Sequence, residues 1–351
     1  MIMTVEKNRD LLVFSPKGIH CPIADVYIDP WRSVKKALIT HGHSDHARPG
    51  HQTYVCTPLT ASVLKHRLGQ KIQVAELPFG QHITVNGVRI SFHPAGHIPG
   101  SAQVRVEYRG EVWVVTGDYK LHGDPISEPF EPVPCHTMIT ESTFGLPIYQ
   151  WSDPGIIIRD IHQWWRECQE TDQLAVIHAY SLGKAQRLIA ALDTHQGPVF
   201  THKSIEPINE LFRRDGLGLP PTIELNEFHQ RKDLKGGLLI APPSAMTSDW
   251  LQRFGPISDA MASGWMALRK GRFRQTADRG FALSDHADWP GLLTAIRESG
   301  AERVLVTHGF TTPFARYLRE IGLDAQAVET RFLGEPAPDD QAGADAKNDQ
   351  E

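Results

Sequence analysis

Residues 40 to 46 read Thr-His-Gly-His-Ser-Asp-His and follow directly on the apolar run Lys36-Ala-Leu-Ile39. A helix cap needs one such polar residue, not four. Three imidazoles and a carboxylate within six positions demand a fold that gathers them at the end of a strand. Imidazole is the common ligand of zinc-like ions, and an added carboxylate favours a second, harder ion beside the first. On an extended segment alternate side chains point the same way, so His41 and His43 can share one ion while Asp45 and His46, after the chain turns, face another.

Further ligands are expected at later strand ends, and three candidates stand there: Pro94-Ala-Gly-His97, Val115-Thr-Gly-Asp118 and Val306-Thr-His308-Gly309. Each sets a His or Asp at the exit of an apolar run, beside a glycine that permits a tight turn. Because His308 lies so far along the chain, the fold must close over everything between.

Texture divides the chain accordingly. Up to about residue 145 short apolar runs alternate with turn signals, and Val104–Tyr108 and Glu111–Val115 form a hairpin around Arg109-Gly110. Asp153-Pro154 then reads as an N-cap with proline at the first helical position, followed by Ile157, Ile161, Trp164 and Cys168 at helical spacing. Strands alternate with helices from there to about residue 280, which predicts an α/β unit. Phe281-Ala-Leu283, a helix over Gly291 to Glu298, the strand Arg303–Thr307 and a helix opened by Thr312-Pro313 return to a layered α/β domain.

At 351 residues, 40% hydrophobic and 22% charged, the chain suits a globular protein of one composite domain or two smaller ones. The net charge of -5 belongs to the stretch 334–351, where six acids face the single base Lys347, so the body is neutral. Global charge gives no case for nucleic-acid binding, which must rest on local patches or bound cations. That stretch has nothing to bury and is expected to be disordered. Four scattered cysteines without a Cys-x-x-Cys pair read as core thiols in a reducing compartment. With no signal-like start and no membrane-length apolar run, a cytoplasmic protein without membrane partners is expected.

The His-x-His-x-Asp-His run, Gly-His97, Thr-Gly-Asp118 and Thr-His308-Gly together resemble the metallo-β-lactamase superfamily. Within it, Glu141-Ser-Thr-Phe-Gly145, Ser181-Leu-Gly-Lys-Ala-Gln-Arg187 and Ser284-Asp-His286-Ala-Asp288 resemble the marks of the β-CASP nucleases. Cys21-Pro22, Tyr27-Ile-Asp-Pro-Trp-Arg32 and His46-Ala-Arg-Pro-Gly50 are similar to one bacterial branch, the exonucleases associated with an ATP-dependent DNA ligase. The resemblance implies an αββα metallo-β-lactamase sandwich with an inserted α/β β-CASP domain. Its parts would be residues 1–146 and 281–333 for the sandwich, 147–280 for the insertion and 334–351 for the tail.

Carried over by position, the resemblance implies two divalent metal ions, zinc or manganese: one on His41, His43 and His97, the other on Asp45, His46 and His308, with Asp118 bridging. Asp29 matches an early aspartate that orients a ligand histidine. Glu141 and His286 match the first two β-CASP motifs, with His286 the candidate general acid, held by Glu141 or Asp285. Asp45 and Asp118 complete the catalytic set. Two cations about 3.5 to 4 Å apart would activate a water for attack on a phosphodiester, which implies an exonuclease acting on DNA in repair, with a ligase and other repair proteins as partners. Artemis-type DNA repair members commonly carry valine where His308 stands, which keeps an RNA-processing nuclease of the RNase J kind as the alternative. A small-molecule lactamase or glyoxalase-type hydrolase would lack the inserted segment, and a non-catalytic binding scaffold would lack ligands.

For the substrate, the loop from Ser181 through Gly183 to Lys184 opens a helix whose free N–H groups suit a phosphate, with Lys184 or Arg187 adding charge; an ordinary helix start with solvated bases is the plain alternative. The run 269–274, after Trp265, interleaves bases with an aromatic as single-strand binders do. Lys120 and His122 either meet the substrate backbone or lie on a solvated loop. His66, His82 and His195 fit no motif.

Overall fold

The computed structural model describes residues 10–226, 228–246, 249–268 and 277–332; the run 269–274 and the acidic stretch lie outside the described residues. Three sheets organise the chain.

The first sheet runs in sequence order through β1 (Val13–Ser15), β2 (Gly18–Cys21), β3 (Val26–Ile28), β4 (Lys36–Leu38), β5 (Thr53–Cys56) and β6 (Val74–Glu76), antiparallel to β3 and parallel beyond it. Helix α1 (Pro58–Leu68) intervenes, capped by the Thr57 hydroxyl. The second sheet begins with the meander β7 (His82–Val85), β8 (Val88–Pro94), β9 (Ala102–Tyr108) and β10 (Glu111–Val115) and continues in parallel with β11 (Thr137–Ser142). Arg109 and Gly110 sit between β9 and β10 at φ 50° and 87°, the left-handed pair that a two-residue hairpin turn requires.

The third sheet is parallel throughout and holds β12 (Leu174–His178), β13 (Val199–Thr201), β14 (Ile223–Glu224), β15 (Leu238–Ala241), β16 (Ile257–Ala262) and β17 (Arg279–Phe281), in the order β14-β13-β15-β12-β16-β17. Its helices are α2 (Pro154–Glu170), α3 (Lys184–Ala191), α4 (Glu206–Arg214) and the short α5 (Asp249–Gln252). Phe281 corrects one expectation: it does not start the returning layered domain but pairs with Ala262 and packs its ring on Trp164, 5.7 Å away. The chain then makes α6 (Trp289–Ser299), β18 (Arg303–Gly309), α7 (Thr311–Glu320) and β19 (Asp324–Ala327); β18 slots beside β11 in the second sheet, with β19 outside it.

Side-chain alternation explains the layering. Leu38, Trp113, Val115 and Leu305 point into a core shared by the first and second sheets, with Ile28, Val55, Phe92 and Val104. Their neighbours Ala37 and Ile39 turn outward against Ala61 and Leu64 of α1. Val112, Val114, Val304 and Val306 turn the other way against Leu292 and Ile296 of α6 and Phe314 and Leu318 of α7. A period of two thus gives four layers, helix on sheet on sheet on helices. The third sheet is apolar on both faces, Ala175 and Ile177 meeting α2 and α3 while Val176 and Leu239 pack on Phe254, as a parallel sheet covered on both sides must be. No helix among the described residues is long and apolar enough to cross a membrane.

Candidate metal centre

Three loops at the ends of β4, β8 and β10, and the end of β18, converge between the first and second sheets. Asp118 lies at their centre, 3% exposed. Its Oδ2 lies 3.6 Å from His41 Nε2 and 3.9 Å from His97 Nε2, while Oδ1 lies 3.4 Å from His46 Nε2 and 2.9 Å from His308 Nε2. Each carboxylate oxygen therefore faces a different set of imidazoles. His43 joins the first set, its Nδ1 3.1 Å from both His41 Nε2 and His97 Nε2. Asp45 joins the second, Oδ2 3.6 Å from His46 Nε2. Gly117, at φ 57°, makes the approach possible, since a Cβ there would stand 2.7 Å from the Thr40 side chain.

Each ring is oriented from behind. Asp29, at φ 42°, accepts from His46 Nδ1 at 2.7 Å and is itself fixed by the Thr40 amide at 2.8 Å and hydroxyl at 2.6 Å. His41 Nδ1 meets the Thr40 hydroxyl at 3.1 Å, His97 Nδ1 the Asp285 carbonyl at 2.8 Å, and His43 Nε2 the Leu182 carbonyl at 3.1 Å. Such partners fix the tautomer of a neutral ring, so in His41, His43 and His97 the nitrogens left to converge are acceptors.

Burial is the dominant influence on the charges. It holds His41, His43 and His97 below the usual imidazole range, strongly so for His41 and His97, where neighbouring imidazoles add to the effect. Burial also opposes charge on His46 and Asp118, but their mutual attraction prevails, raising His46 and, with His308, lowering Asp118. Close as they lie to one another, His46 Nε2, His308 Nε2 and Asp118 Oδ1 are buried and make no well-formed hydrogen bond among the described residues. Buried polar atoms are normally satisfied, and three orphans aimed at one point fit a cation. The ligand atoms of His41, His43, His97 and Asp118, and those of His46, Asp118 and His308, each lie within 4.8 Å of one another. Nitrogen and carboxylate donors of this kind suit divalent metal ions.

Beside them His286 Nδ1 is 2.9 Å from Glu141 Oε2, and Glu141 also accepts from the Tyr119 amide at 2.7 Å and the Thr143 hydroxyl at 2.5 Å. Glu141 is thus one of the two partners expected for His286. Asp285 turns away to Lys184 and Arg187, which with burial opposing hold its carboxyl down to about 2. Glu141, His286 and Asp118 also offer atoms within 4.8 Å, a third grouping at the same centre. Asp288 caps α6.

The loop expected to meet substrate packs against Asp285 and Ser204. Lys184 and Arg187 are not solvated bases: they are 1% and 5% exposed and are ion-paired to Asp285 at 3.7 and 3.2 Å. Ser181 bonds the Ser204 hydroxyl at 2.9 Å, and Gly183 opens α3 at φ 92°. Lys120 is no member of a solvated loop either; it is 1% exposed, 3.6 Å from Asp124, and burial brings its ammonium down to about 7. His122, His66, His82 and His195 are exposed, and the four cysteines are free and buried.

Two participants escape sequence reasoning. Phe332 stacks flat on His46, centroids 4.6 Å apart and planes 4° from parallel, and meets His308 edge-on at 5.7 Å. Leu182 contributes a carbonyl, which no side-chain motif reveals.

No family model matches the chain. It is 34% identical over 315 residues to "Probable DNA ligase" of Opitutus terrae, covering 89% of this chain and 30% of that one, and 24% identical over 197 residues to RNase aCSPSF2 of Saccharolobus solfataricus, covering 47% and 39%. The chain thus spans well under half the length of these curated relatives. A solved protein of unknown function from Enterococcus faecalis superposes with a TM-score of 0.55 over 86% of this chain and 79% of that one, at 14% identity, a likeness of fold alone. The motif residues gathered at the centre and these relatives agree: the chain belongs to the β-CASP family of the metallo-β-lactamase superfamily.

Proposed function

We propose that the chain is a metal-dependent phosphodiesterase that degrades DNA from an end during repair. In this reading the four layers are the metallo-β-lactamase αββα sandwich, and the third sheet with its helices is the inserted β-CASP domain. The observation that carries it is the divided carboxylate of Asp118, with one oxygen toward His41 and His97 and the other toward His46 and His308. A pair of divalent cations held there would lower the pKa of a water and neutralise charge on phosphodiester oxygens.

The chain's own groups do the rest. Asp29 and the Leu182 and Asp285 carbonyls keep the imidazoles aimed inward. His286, with Nδ1 held by Glu141, passes a proton from Nε2 to the leaving oxygen. DNA is favoured because a relative at 34% identity, matched over 89% of this chain, is named a DNA ligase, which also supports work alongside a ligase. The rival substrate is RNA, supported by a relative named as an RNase and by His308.

Single-stranded DNA and RNA of one sequence, labelled at either end and supplied with manganese or zinc, decide between them, with Asp118→Ala as control. Shortened or mononucleotide products from DNA alone support the proposal. Preferential cutting of RNA replaces the substrate, and equal products from Asp118→Ala remove the metal centre from the chemistry.

A further inference from the structure

The segment 181–187 carries the sequence of a phosphate cradle but sits where it can serve the metal centre. His43 and His97 both take their outer hydrogen-bond partner from backbone carbonyls, Leu182 and Asp285. Leu182 belongs to the loop between β12 and α3. Asp285 lies in the loop before α6, but its carboxylate is clasped by Lys184 and Arg187 from the first two turns of α3, and Arg187 also donates to the Ser284 carbonyl. Gly183 lets the loop come this close: at φ 92° a Cβ there would overlap Ile98, the neighbour of His97, and would stand 3.9 Å from His43 Nε2.

We propose that the loop Ser181–Gly183 and the paired cations Lys184 and Arg187 are positioning residues for the three-histidine group, so that docking of the third-sheet unit aims His43 and His97. One unit of the fold thereby finishes a site whose ligands all belong to the other. The inference rests on reading His41, His43, His97 and Asp118 as a cation site. Residues that orient metal-binding imidazoles typically change affinity about 10- to 100-fold when lost.

The test is calorimetric titration of manganese(II) into the full chain after chelation. Wild type should bind, and Gly183→Ala and Arg187→Met should each bind about 10- to 100-fold more weakly. Arg187→Met introduces no backbone strain and so guards against a Gly183→Ala chain that fails to fold. With zinc bound, the His43 Nε2 proton should be protected from solvent exchange in wild type and exchange readily in Gly183→Ala. Wild-type affinity in both single variants overturns this inference and leaves the metal centre standing. No binding by wild type overturns the metal centre itself.

Discussion

At the scale of single residues, roles separate by what each side chain touches. His286 Nδ1 meets Glu141 Oε2 at 2.9 Å, and in the proposed reading it serves as a proton donor and not as a metal ligand. His286→Ala should therefore keep its metal content, measured by plasma mass spectrometry, while the cleavage rate falls by a factor on the order of 10² to 10⁴. Loss of metal would make His286 a ligand instead. His51 offers a pH test away from the centre: burial brings its imidazole down to about 4. Between about 6.5 and that value the unfolded chain carries a proton that the folded chain refuses, so stability falls as pH drops through this window. His51→Phe should retain on the order of 2 kcal/mol more of its neutral-pH stability at pH 4.5; equal slopes in denaturant titrations refute this. The ligand histidines are legible in sequence because their chemistry resides in side chains. The Leu182 carbonyl is not, since any residue would supply one.

Among elements, the signals that read correctly are local. Asp153-Pro154 starts α2 because the aspartate accepts from the Gly155 amide, and Arg109-Gly110 turns the hairpin because both adopt left-handed φ. The readings that the sequence misplaces or leaves open depend on tertiary partners. Phe281 joins the third sheet because Trp164 is there to pack on, and Lys120, Lys184 and Arg187 are buried because carboxylates wait for them. Asp288 shows an element end doing two tasks: it accepts from Gly291 N at 2.9 Å to cap α6 and from Trp151 N at 2.8 Å to anchor the strand of chain leading to α2. Asp288→Ala should cost about 2 kcal/mol in chemical denaturation, and Asp288→Asn, which keeps one acceptor, roughly half that. A loss under about 0.5 kcal/mol would mean that water replaces both bonds.

For the whole molecule, the centre concentrates buried imidazoles and a carboxylate, and three of the converging atoms, His46 Nε2, His308 Nε2 and Asp118 Oδ1, make no hydrogen bond among the described residues, a cost that a bound cation would relieve. Manganese or zinc at about 100 times its dissociation constant should add about 2.7 kcal/mol of stability, seen as a higher melting temperature that chelation reverses. Asp118→Ala should abolish the increment, and an unchanged increment would place the stabilising metal elsewhere. The layered half of the fold is legible in outline because alternation of apolar residues sets its faces. The contacts of the third-sheet unit with the centre are not, because they join residues far apart in sequence.

The insertion of β18 between β11 and β19 has a consequence for biosynthesis. Every residue through His308 must have left the ribosome before that imidazole can reach Asp118, since β18 begins only at Arg303. An unfinished polypeptide therefore leaves β11 as a bare sheet edge and its second ligand group one imidazole short. On the proposed reading, a translation product that stops short of His308 would lack one imidazole of the second group, and with it the complete site for hydrolysis.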